Sequence, residues 1–527
     1  MIEIRGMQKY YIYLTLFFTG AAIMVLELLG TRVIGPYYGV SLYVWSSLIS
    51  VTMVALAVGY WLGGKVADKA VPTAEGKKTA GAEGQKAVRL LYRLVLAAGI
   101  SIMLLPVIAG AVLKGTLPLG IRGGALASAF VLFTVPLVLL GMVTPYAIKI
   151  LTDRLKVVGA RAGNLFAVST VGSFAGTVLT GFVLIPSIGT KKMLYLQAGA
   201  LVVLWAVWEL MGRRYITALI AVPLLGFCMA GVTAEEELAH AGGFEVKHKT
   251  ESFYGELKVI DRENKRWLSI DGAGHTGINK DTGLSLFPYS YYIEVVNYMR
   301  PGAKDALVVG LGGGSVTRRL EGYGLRVDSV EINPKVADIA RRFFGFDAPE
   351  GNVHITDGRV FISNADRKYD FIVLDAFAGS DTPPFHLMTK EMFGEIKGAL
   401  KEDGILAVNS FGFMSGKGTV IPQSIHRTLG AVYPNVRAFR VSKENFGNII
   451  FFASAGELAL RRSIEKTDIA GLENLFAEML EKEVRYSMQE GIVITDDYNP
   501  LEAWGVMTSE AMRRDILSFL PAEVLAL

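Results

Sequence analysis

The sequence contains little cysteine, few charged residues and no large excess of either charge. Cys228 is its only cysteine, so the chain cannot form an intrachain disulfide. Charged residues make up 19% of the chain and the formal net charge is +4, which gives little support to a nucleic-acid partner. No group of His, Cys, Asp and Glu shows the spacing of metal ligands, so we predict no metal site.

Hydrophobic residues are in excess, at 51% of the 527 positions. Most precede residue 235, in apolar runs of about 20 residues, the length that crosses a hydrocarbon core. One such run could be a buried helix, but seven in succession predict a polytopic membrane domain over residues 1–234. The runs are Tyr11–Leu29, Val44–Leu62, Leu91–Val112, Ala125–Ile148, Asn164–Ile185, Met193–Met211 and Ile216–Val232.

Basic residues cluster in the predicted loops between the second and third runs and between the fourth and fifth. Both loops lie on the side of the N-terminus, which carries Arg5 and Lys9, so the positive-inside rule predicts a multi-pass protein of the cell membrane with a cytoplasmic N-terminus. Seven spans would put everything after Val232 outside, whereas an error of one in the count would reverse that. The side of the membrane on which the C-terminal part lies is therefore left open.

The pattern after residue 243 is that of a soluble region. Short runs in which apolar and polar residues alternate, separated by Asp-Gly turns, predict a small β-domain over 244–288, made of hairpins. From 289 to 527, short apolar strands alternate with helices, which predicts a parallel sheet covered on both faces. The predicted fold is thus an α-helical membrane domain, a small β-domain and a C-terminal α/β Rossmann-like domain, which the glycines and acids described next assign to the class I methyltransferase type.

A glycine-rich turn leads from the first of these strands into a helix, in the segment ALVVGLGGGSVTRRL. Glycines at this point let the backbone approach a ligand closely and let the helix present its N-terminal amides. The glycines concerned are Gly310, Gly312 and Gly314. Alone this turn is a weak signal, because many nucleotide-binding folds share it.

Acids follow the next three strands. Glu331 ends the second strand, where its two carboxylate oxygens could accept hydrogen bonds from both hydroxyls of a ribose. Asp357, followed by Gly358, ends the third and could accept from an adenine amino group, and Asp375 ends the fourth. Since the carboxyl ends of parallel strands meet at one edge of a sheet, we expect a pocket for an adenosyl compound there.

From about Phe244 to Ser410 the sequence resembles the spermidine synthase, or polyamine aminopropyltransferase, family, and the whole chain resembles its membrane-fused bacterial members. Five motifs besides the glycine turn carry the resemblance. They are SFYGEL with Tyr254, YYIE with Tyr292 and Glu294, VEINP with Glu331, TDG with Asp357, and LDAFAGSDTPPFHLMTKEMF with Asp375 and Pro383.

The resemblance implies transfer of an aminopropyl group from decarboxylated S-adenosylmethionine, as co-substrate, to an amine such as putrescine. It implies that Asp375 is the general base, and it implies no further cofactor; a homodimer is left open. The residues implied to bind the donor are Gly310, Gly312, Gly314, Glu331, Asp357, Gly358 and Pro383. Those implied to bind the amine are Tyr254, Tyr292, Glu294 and Asp381.

The chain departs from the family pattern where the amine would be held. Gly255, Gly313, Ile293 and Ala378 stand where the family has glutamine, aspartate, histidine and an acid, so Asp381 and Glu294 are candidate replacements. His386 could face the site or be hydrogen-bonded within its loop. Two other functions stay open: a methyltransferase that uses S-adenosylmethionine itself, and a ligand-sensing domain coupled to a transporter-like membrane half.

Overall fold

The computed structural model describes residues 6–71, 80–152, 158–234, 240–349, 351–377, 383–459, 478–479, 481–486 and 490–525. Asp381 therefore lies outside the described residues. The chain divides into two compact units, residues 1–237 with 525–527, and residues 238–524.

The first unit is helical throughout its described residues. A 3-10 turn, Leu117–Leu119, joins its third helix to its fourth, and a π-helical turn, Thr180–Leu184, joins its fifth to its sixth. The helices are α1 (Gly6–Tyr38), α2 (Leu42–Ala70), α3 (Ala80–Thr116), α4 (Gly120–Leu151), α5 (Val158–Leu179), α6 (Ile185–Ile188), α7 (Thr190–Met211), α8 (Tyr215–Ala218) and α9 (Ala221–Thr233).

Six stretches of this unit are long and apolar enough to cross a membrane, judged by length and composition. The sequence predicted seven runs, and the difference lies in the third stretch, Gly84–Leu151, which contains both α3 and α4. Small residues allow close contact between helices here. A Cβ on Gly59 of α2 would lie 2.5 Å from the Val138 carbonyl oxygen of α4, so only glycine fits at this crossing.

The second unit begins with a five-stranded antiparallel sheet in which each strand pairs with the next along the chain. Asp271 and Gly272 form the turn between the last two strands with φ angles of 47° and 82°, as a tight Asp-Gly hairpin requires. The strands are β1 (His240–Ala241), β2 (Phe244–Ser252), β3 (Gly255–Arg262), β4 (Lys265–Ile270) and β5 (Ala273–Asn279).

A seven-stranded sheet forms the centre of this unit. Its elements are α10 (Tyr289–Glu294), α11 (Val296–Met299), β6 (Asp305–Val309), α12 (Ser315–Gly322), β7 (Arg326–Glu331), α13 (Pro334–Phe343), β8 (Val353–Ile355), α14 (Gly358–Ser363), β9 (Tyr369–Leu374), α15 (Lys390–Ala399), β10 (Leu400–Phe413), α16 (Val420–Gly430), β11 (Asn435–Arg440) and β12 (Phe446–Ser454). Three C-terminal helices follow: α17 (Leu501–Trp504), α18 (Val506–Phe519) and α19 (Ala522–Leu525).

The predicted parallel sheet is confirmed for β6 to β10, while β11 and β12 add an antiparallel edge. Both faces are covered, as the central strand β9 illustrates. Phe371 and Val373 belong to one apolar cluster, and Ile372 and Leu374 belong to another on the opposite face. Every side chain of such a strand is buried, which explains its continuous apolar sequence.

The order of the strands determines where a ligand crevice opens at the edge of the sheet. Strand β6 pairs with β7 on one side and with β9 on the other, so the direction of chain progression reverses at β6. Loops that leave the carboxyl ends of neighbouring strands diverge at such a switch point and open a crevice for ligands. The glycine-rich turn leaves β6 at this position.

Candidate functional site

A cavity of about 350 Å³ lies at the carboxyl ends of β6, β7 and β9. Its described lining comes from the glycine turn, the strand ends, the small sheet and the loop before α15. Seven residues predicted from the sequence are among those that line it: Tyr254, Gly310, Gly312, Glu331, Asp357, Gly358 and Asp375.

The glycine turn brings backbone, rather than side chains, against the cavity. Gly310 has a φ of 98°, and a Cβ there would run into the carbonyl group of Asp375. Gly312 has a φ of 52°, and its Cβ would lie 2.6 Å from the hydroxyl oxygen of Thr276. Gly314 is not part of the lining; it is the N-cap residue before α12, and a Cβ there would meet the ring of Phe346.

Glu331 is almost fully buried at the end of β7, with 9% of its surface exposed. The Leu311 amide donates to its Oε2 at 3.1 Å, and the Asn333 amide donates to its Oε1 at 2.9 Å. Burial raises the pKa of Glu331, while these backbone donors oppose the rise. The backbone amides of Gly312 and Ile332 also act on this carboxylate, so backbone contacts fix its orientation at the edge of the cavity.

Asp357 serves first as a helix cap. Its Oδ1 accepts from the amides of Arg359 and Val360, and its Oδ2 is 3.0 Å from His386 Nε2. His386 therefore lines the cavity and is also hydrogen-bonded, to Asp357 rather than to a residue of its own loop. Pro383 is buried outside the lining, and the proline that lines the cavity is its neighbour Pro384.

Asp375 is the acid at the centre of the site. The Tyr289 hydroxyl donates to its Oδ2 at 3.0 Å, and the Asn409 amide donates to its Oδ1 at 2.8 Å. Asn409 is itself held by Asn448, whose amide donates to the Asn409 oxygen at 2.9 Å. Burial raises the pKa of Asp375 to about 7, and the two donors act in the opposite direction. The carboxyl therefore exchanges a proton near neutral pH.

Two residues predicted to bind the amine lie elsewhere. Tyr292 is fully buried in an apolar cluster, and its hydroxyl accepts from Lys482 at 3.2 Å. Glu294 is fully buried in a two-point ion pair with Arg319, at 2.8 and 3.0 Å. Neither side chain lines the cavity, so these contacts give no support to their role in binding the amine, which stays a prediction.

Sequence reasoning missed the tyrosine that does reach the acid. The helix α10 carries three tyrosines, and Tyr289, at its first residue, contacts Asp375. It also missed His275 and Thr276 of β5, which line the cavity opposite the glycine turn. The Thr276 hydroxyl accepts from the Gly313 amide at 2.8 Å, and its methyl group lies where a Cβ on residue 313 would be.

The loss of an acid at residue 313 therefore follows from packing. A Cβ there would lie 2.6 Å from Thr276 Cγ2 and 3.0 Å from the ring of Phe344. Among the described residues, no group of three or more His, Cys, Asp or Glu could hold a metal ion. The chemistry that the described side chains offer is that of a proton acceptor, Asp375, beside a cavity with both polar and apolar lining residues.

Comparison with known proteins identifies the family. Residues 287–457 match the spermine/spermidine synthase domain. A polyamine aminopropyltransferase of Vibrio vulnificus is 36% identical over 183 residues, which are 32% of this chain and 60% of that protein. One of Clostridium perfringens is 30% identical over 198 residues, which are 35% of this chain and 68% of that protein.

Among solved structures, spermidine synthase from Thermotoga maritima is similar at 20% identity with a TM-score of 0.37, over 44% of this chain and 83% of that chain. The chain thus spans less than two thirds of the Vibrio protein and slightly more than two thirds of the Clostridium protein. The domain match and the identity across the Clostridium protein show that the chain belongs to the spermidine synthase, or polyamine aminopropyltransferase, family.

Proposed function

We propose that the protein is a membrane-anchored aminopropyltransferase that uses decarboxylated S-adenosylmethionine and an amine acceptor. The lone pair of the acceptor nitrogen forms a bond to the methylene carbon next to the sulfonium. The carbon–sulfur bond breaks, its electron pair passes to sulfur, and neutral methylthioadenosine leaves. The proton that the nitrogen loses passes to Asp375.

The observation that carries this proposal is the setting of Asp375. A free amine binds a proton with a pKa near 10 and is a nucleophile only in its neutral form. A carboxylate with a pKa of about 7 accepts that proton far better than an ordinary aspartate would. Tyr289 and Asn409 fix the carboxyl on both oxygens, so its orientation is set before the substrate binds.

In this proposal the remaining predicted residues bind the adenosyl donor. Glu331 binds the ribose hydroxyls, and the backbone of Gly310 and Gly312 lies beneath the thioether side of the nucleoside. Asp357 and Gly358 border the base, together with Pro384 in place of Pro383. The sulfonium already activates the carbon that is attacked, so the reaction needs no metal.

Membrane anchoring rests on the six apolar stretches of the first unit. The cytoplasmic N-terminus stays a prediction from the basic loops, and so does the side on which the catalytic unit lies. Protease treatment of sealed vesicles of known orientation would report that side directly.

The test uses full-length protein purified in detergent, decarboxylated S-adenosylmethionine and a panel of amines. We expect methylthioadenosine release by the wild type and a loss of about 10²- to 10⁴-fold in kcat for Asp375→Asn, which is the contribution of a positioned base. The matched control is Asp338→Asn, because Asp338 is exposed on α13, forms an ion pair with Arg342 and does not line the cavity. Absence of methylthioadenosine with every amine would refute the proposal.

The alternative function, a methyltransferase, differs from aminopropyl transfer in the donor that the protein would bind. A methyltransferase would bind S-adenosylmethionine, which keeps its carboxylate, more tightly than the decarboxylated form. The glycine at residue 313 favours this alternative, because it removes the acid expected to meet a cationic tail. Calorimetric titration with both donors decides between them, and a clear preference for the carboxylated donor would reject aminopropyl transfer.

A further inference from the structure

A second cavity, of about 500 Å³, lies beside the first. The two share His275, Phe287, Tyr289 and Phe377 in their linings. The second cavity also reaches Asn409, which donates to Asp375. It therefore lies on the far side of the Tyr289–Asp375 contact from the donor residues, where an attacking nitrogen would have to enter.

The wall of this second cavity is dominated by aromatic and aliphatic side chains. Trp267 of β4, Phe411 of β10 and Ile516 and Phe519 of α18 contribute to it, in addition to the shared Phe287 and Phe377. A volume of this order accommodates a small organic ligand, since ligand pockets span roughly 300 to 1,000 Å³. The space is larger than a four-carbon diamine needs.

The polar groups of this wall offer little to a second cation. Among the described lining residues, the charged ones are Lys265 and Asp515, and both are exposed to solvent. Asn448 and Asn409 donate along a chain that ends on Asp375. Burial lowers the pKa of His275 to about 4, so its imidazole is neutral at pH 7.

The charge balance decides the class of acceptor. A diamine that places one nitrogen at Asp375 must bring its second ammonium into this cavity. Apart from the solvent-exposed Asp515, the described lining offers no carboxylate, and a buried ammonium without one is strongly disfavoured, because it loses its water and gains no charge-assisted hydrogen bond. An amine with an apolar or aromatic remainder instead removes that remainder from water against matching surface.

Resting on the proposed function, we infer that the second cavity binds the acceptor and that the acceptor is a monoamine whose remainder is apolar or aromatic. The inference assigns specificity to residues of β4, β10 and α18. It is also consistent with Ala378 where the family has an acid, since such an acceptor has no second ammonium to bind.

The test compares phenethylamine and hexylamine with putrescine and cadaverine on the full-length protein. Binding is measured by calorimetry with saturating methylthioadenosine, and turnover is measured as methylthioadenosine release from decarboxylated S-adenosylmethionine. We expect at least tenfold tighter binding and at least tenfold higher kcat/KM for phenethylamine than for putrescine. Equal or tighter binding of either diamine would overturn the inference.

The two readouts separate this inference from the proposed function. Binding of phenethylamine in preference to putrescine, without methylthioadenosine release from any amine, would refute aminopropyl transfer and support the assignment of the cavity. Turnover with a preference for putrescine would support aminopropyl transfer and refute the assignment.

A pair of variants tests the location. Met512 of α18 lines the second cavity and is partly exposed, so a polar side chain of equal length is tolerated there. Met512→Glu supplies a carboxylate for a second ammonium, and we expect it to lower the phenethylamine-to-putrescine ratio of kcat/KM about tenfold or more, as one charge-assisted hydrogen bond would. Met512→Gln is the uncharged control and should leave the ratio unchanged. An identical ratio in both variants would contradict the assignment.

Discussion

The contact between Tyr289 and Asp375 can be tested through the pH dependence of the reaction. Burial raises the pKa of Asp375 to about 7, while the Tyr289 hydroxyl, 3.0 Å away, stabilises the ionised form. Tyr289→Phe removes this donor, so the pKa should rise further. A hydrogen bond to a charged group contributes about 1.5–3 kcal/mol, and 1.36 kcal/mol corresponds to one pH unit, so we expect a rise of about one unit after water in the cavity compensates in part.

The sign of the effect on rate follows from the role of the base. Asp375 must be ionised to accept a proton, so kcat/KM rises with pH through the pKa of this carboxyl. A shift from about 7 to about 8 lowers the rate roughly fivefold at pH 7 and hardly at all at pH 9.5. The assay is the initial rate of methylthioadenosine release, measured from pH 5.5 to 9.5 at substrate concentrations well below KM.

The matched control for this variant lies on the same helix. The Tyr291 hydroxyl donates to the Ser285 carbonyl oxygen at 2.7 Å, and Tyr291 does not line the cavity. Tyr291→Phe should leave the acid limb of the profile where it is. If Tyr289→Phe lowers the rate by the same factor at every pH, the hydroxyl does not tune Asp375 and the reasoning is refuted.

Three further predictions concern residues whose roles the structure separates. Glu331→Gln should weaken methylthioadenosine binding about 10- to 100-fold by calorimetry, because a charged acceptor for the ribose is lost; unchanged affinity would contradict that role. Gly313→Asp should lower the stability by about 1–3 kcal/mol in thermal unfolding, and Thr276→Ser in the same chain should restore part of it by removing the obstructing methyl group. Glu294→Ala should destabilise by about 3–5 kcal/mol through the broken pair with Arg319, without changing amine selectivity; a selective loss of amine affinity would restore its predicted role.

The residues at the strand ends could be predicted because a parallel sheet brings them together whatever the surrounding loops do. Gly310, Glu331 and Asp375 follow β6, β7 and β9, and all three line the cavity. The choice of tyrosine could not be predicted in this way. Tyr289 and Tyr292 are three residues apart, so they share a helix face but lie about one turn, or roughly 5 Å, apart along the axis. Only the packing of α10 decides which one reaches the strand ends.

Contacts between residues far apart in the sequence could not be predicted either. Thr276 meets Gly313 across 37 positions, and Asn409 meets Asp375 across 34. Neither residue has a local pattern that marks it as functional. The second cavity was even harder to predict from the sequence, because its wall combines residues of the small sheet, the central sheet and α18. The sequence signals of its chemistry were the departures from the family pattern, such as Ala378 in place of an acid, and they indicated what the site lacks rather than what it binds.

The buried environment that raises the pKa of Asp375 for catalysis also lowers the stability of the folded chain at neutral pH. Its pKa in the folded chain, about 7, lies above the value near 4 of an unfolded aspartate. The stability contributed by the protonated form is therefore fully present below about pH 4 and is lost as pH rises through 7, by at most about 4 kcal/mol. Tyr289 and Asn409 reduce this loss by stabilising the ionised form, yet each also lowers the basicity that proton transfer requires. Two donors and an enclosing cavity thus hold the carboxyl at an intermediate pKa, about half ionised at pH 7 and able to take a proton from an amine.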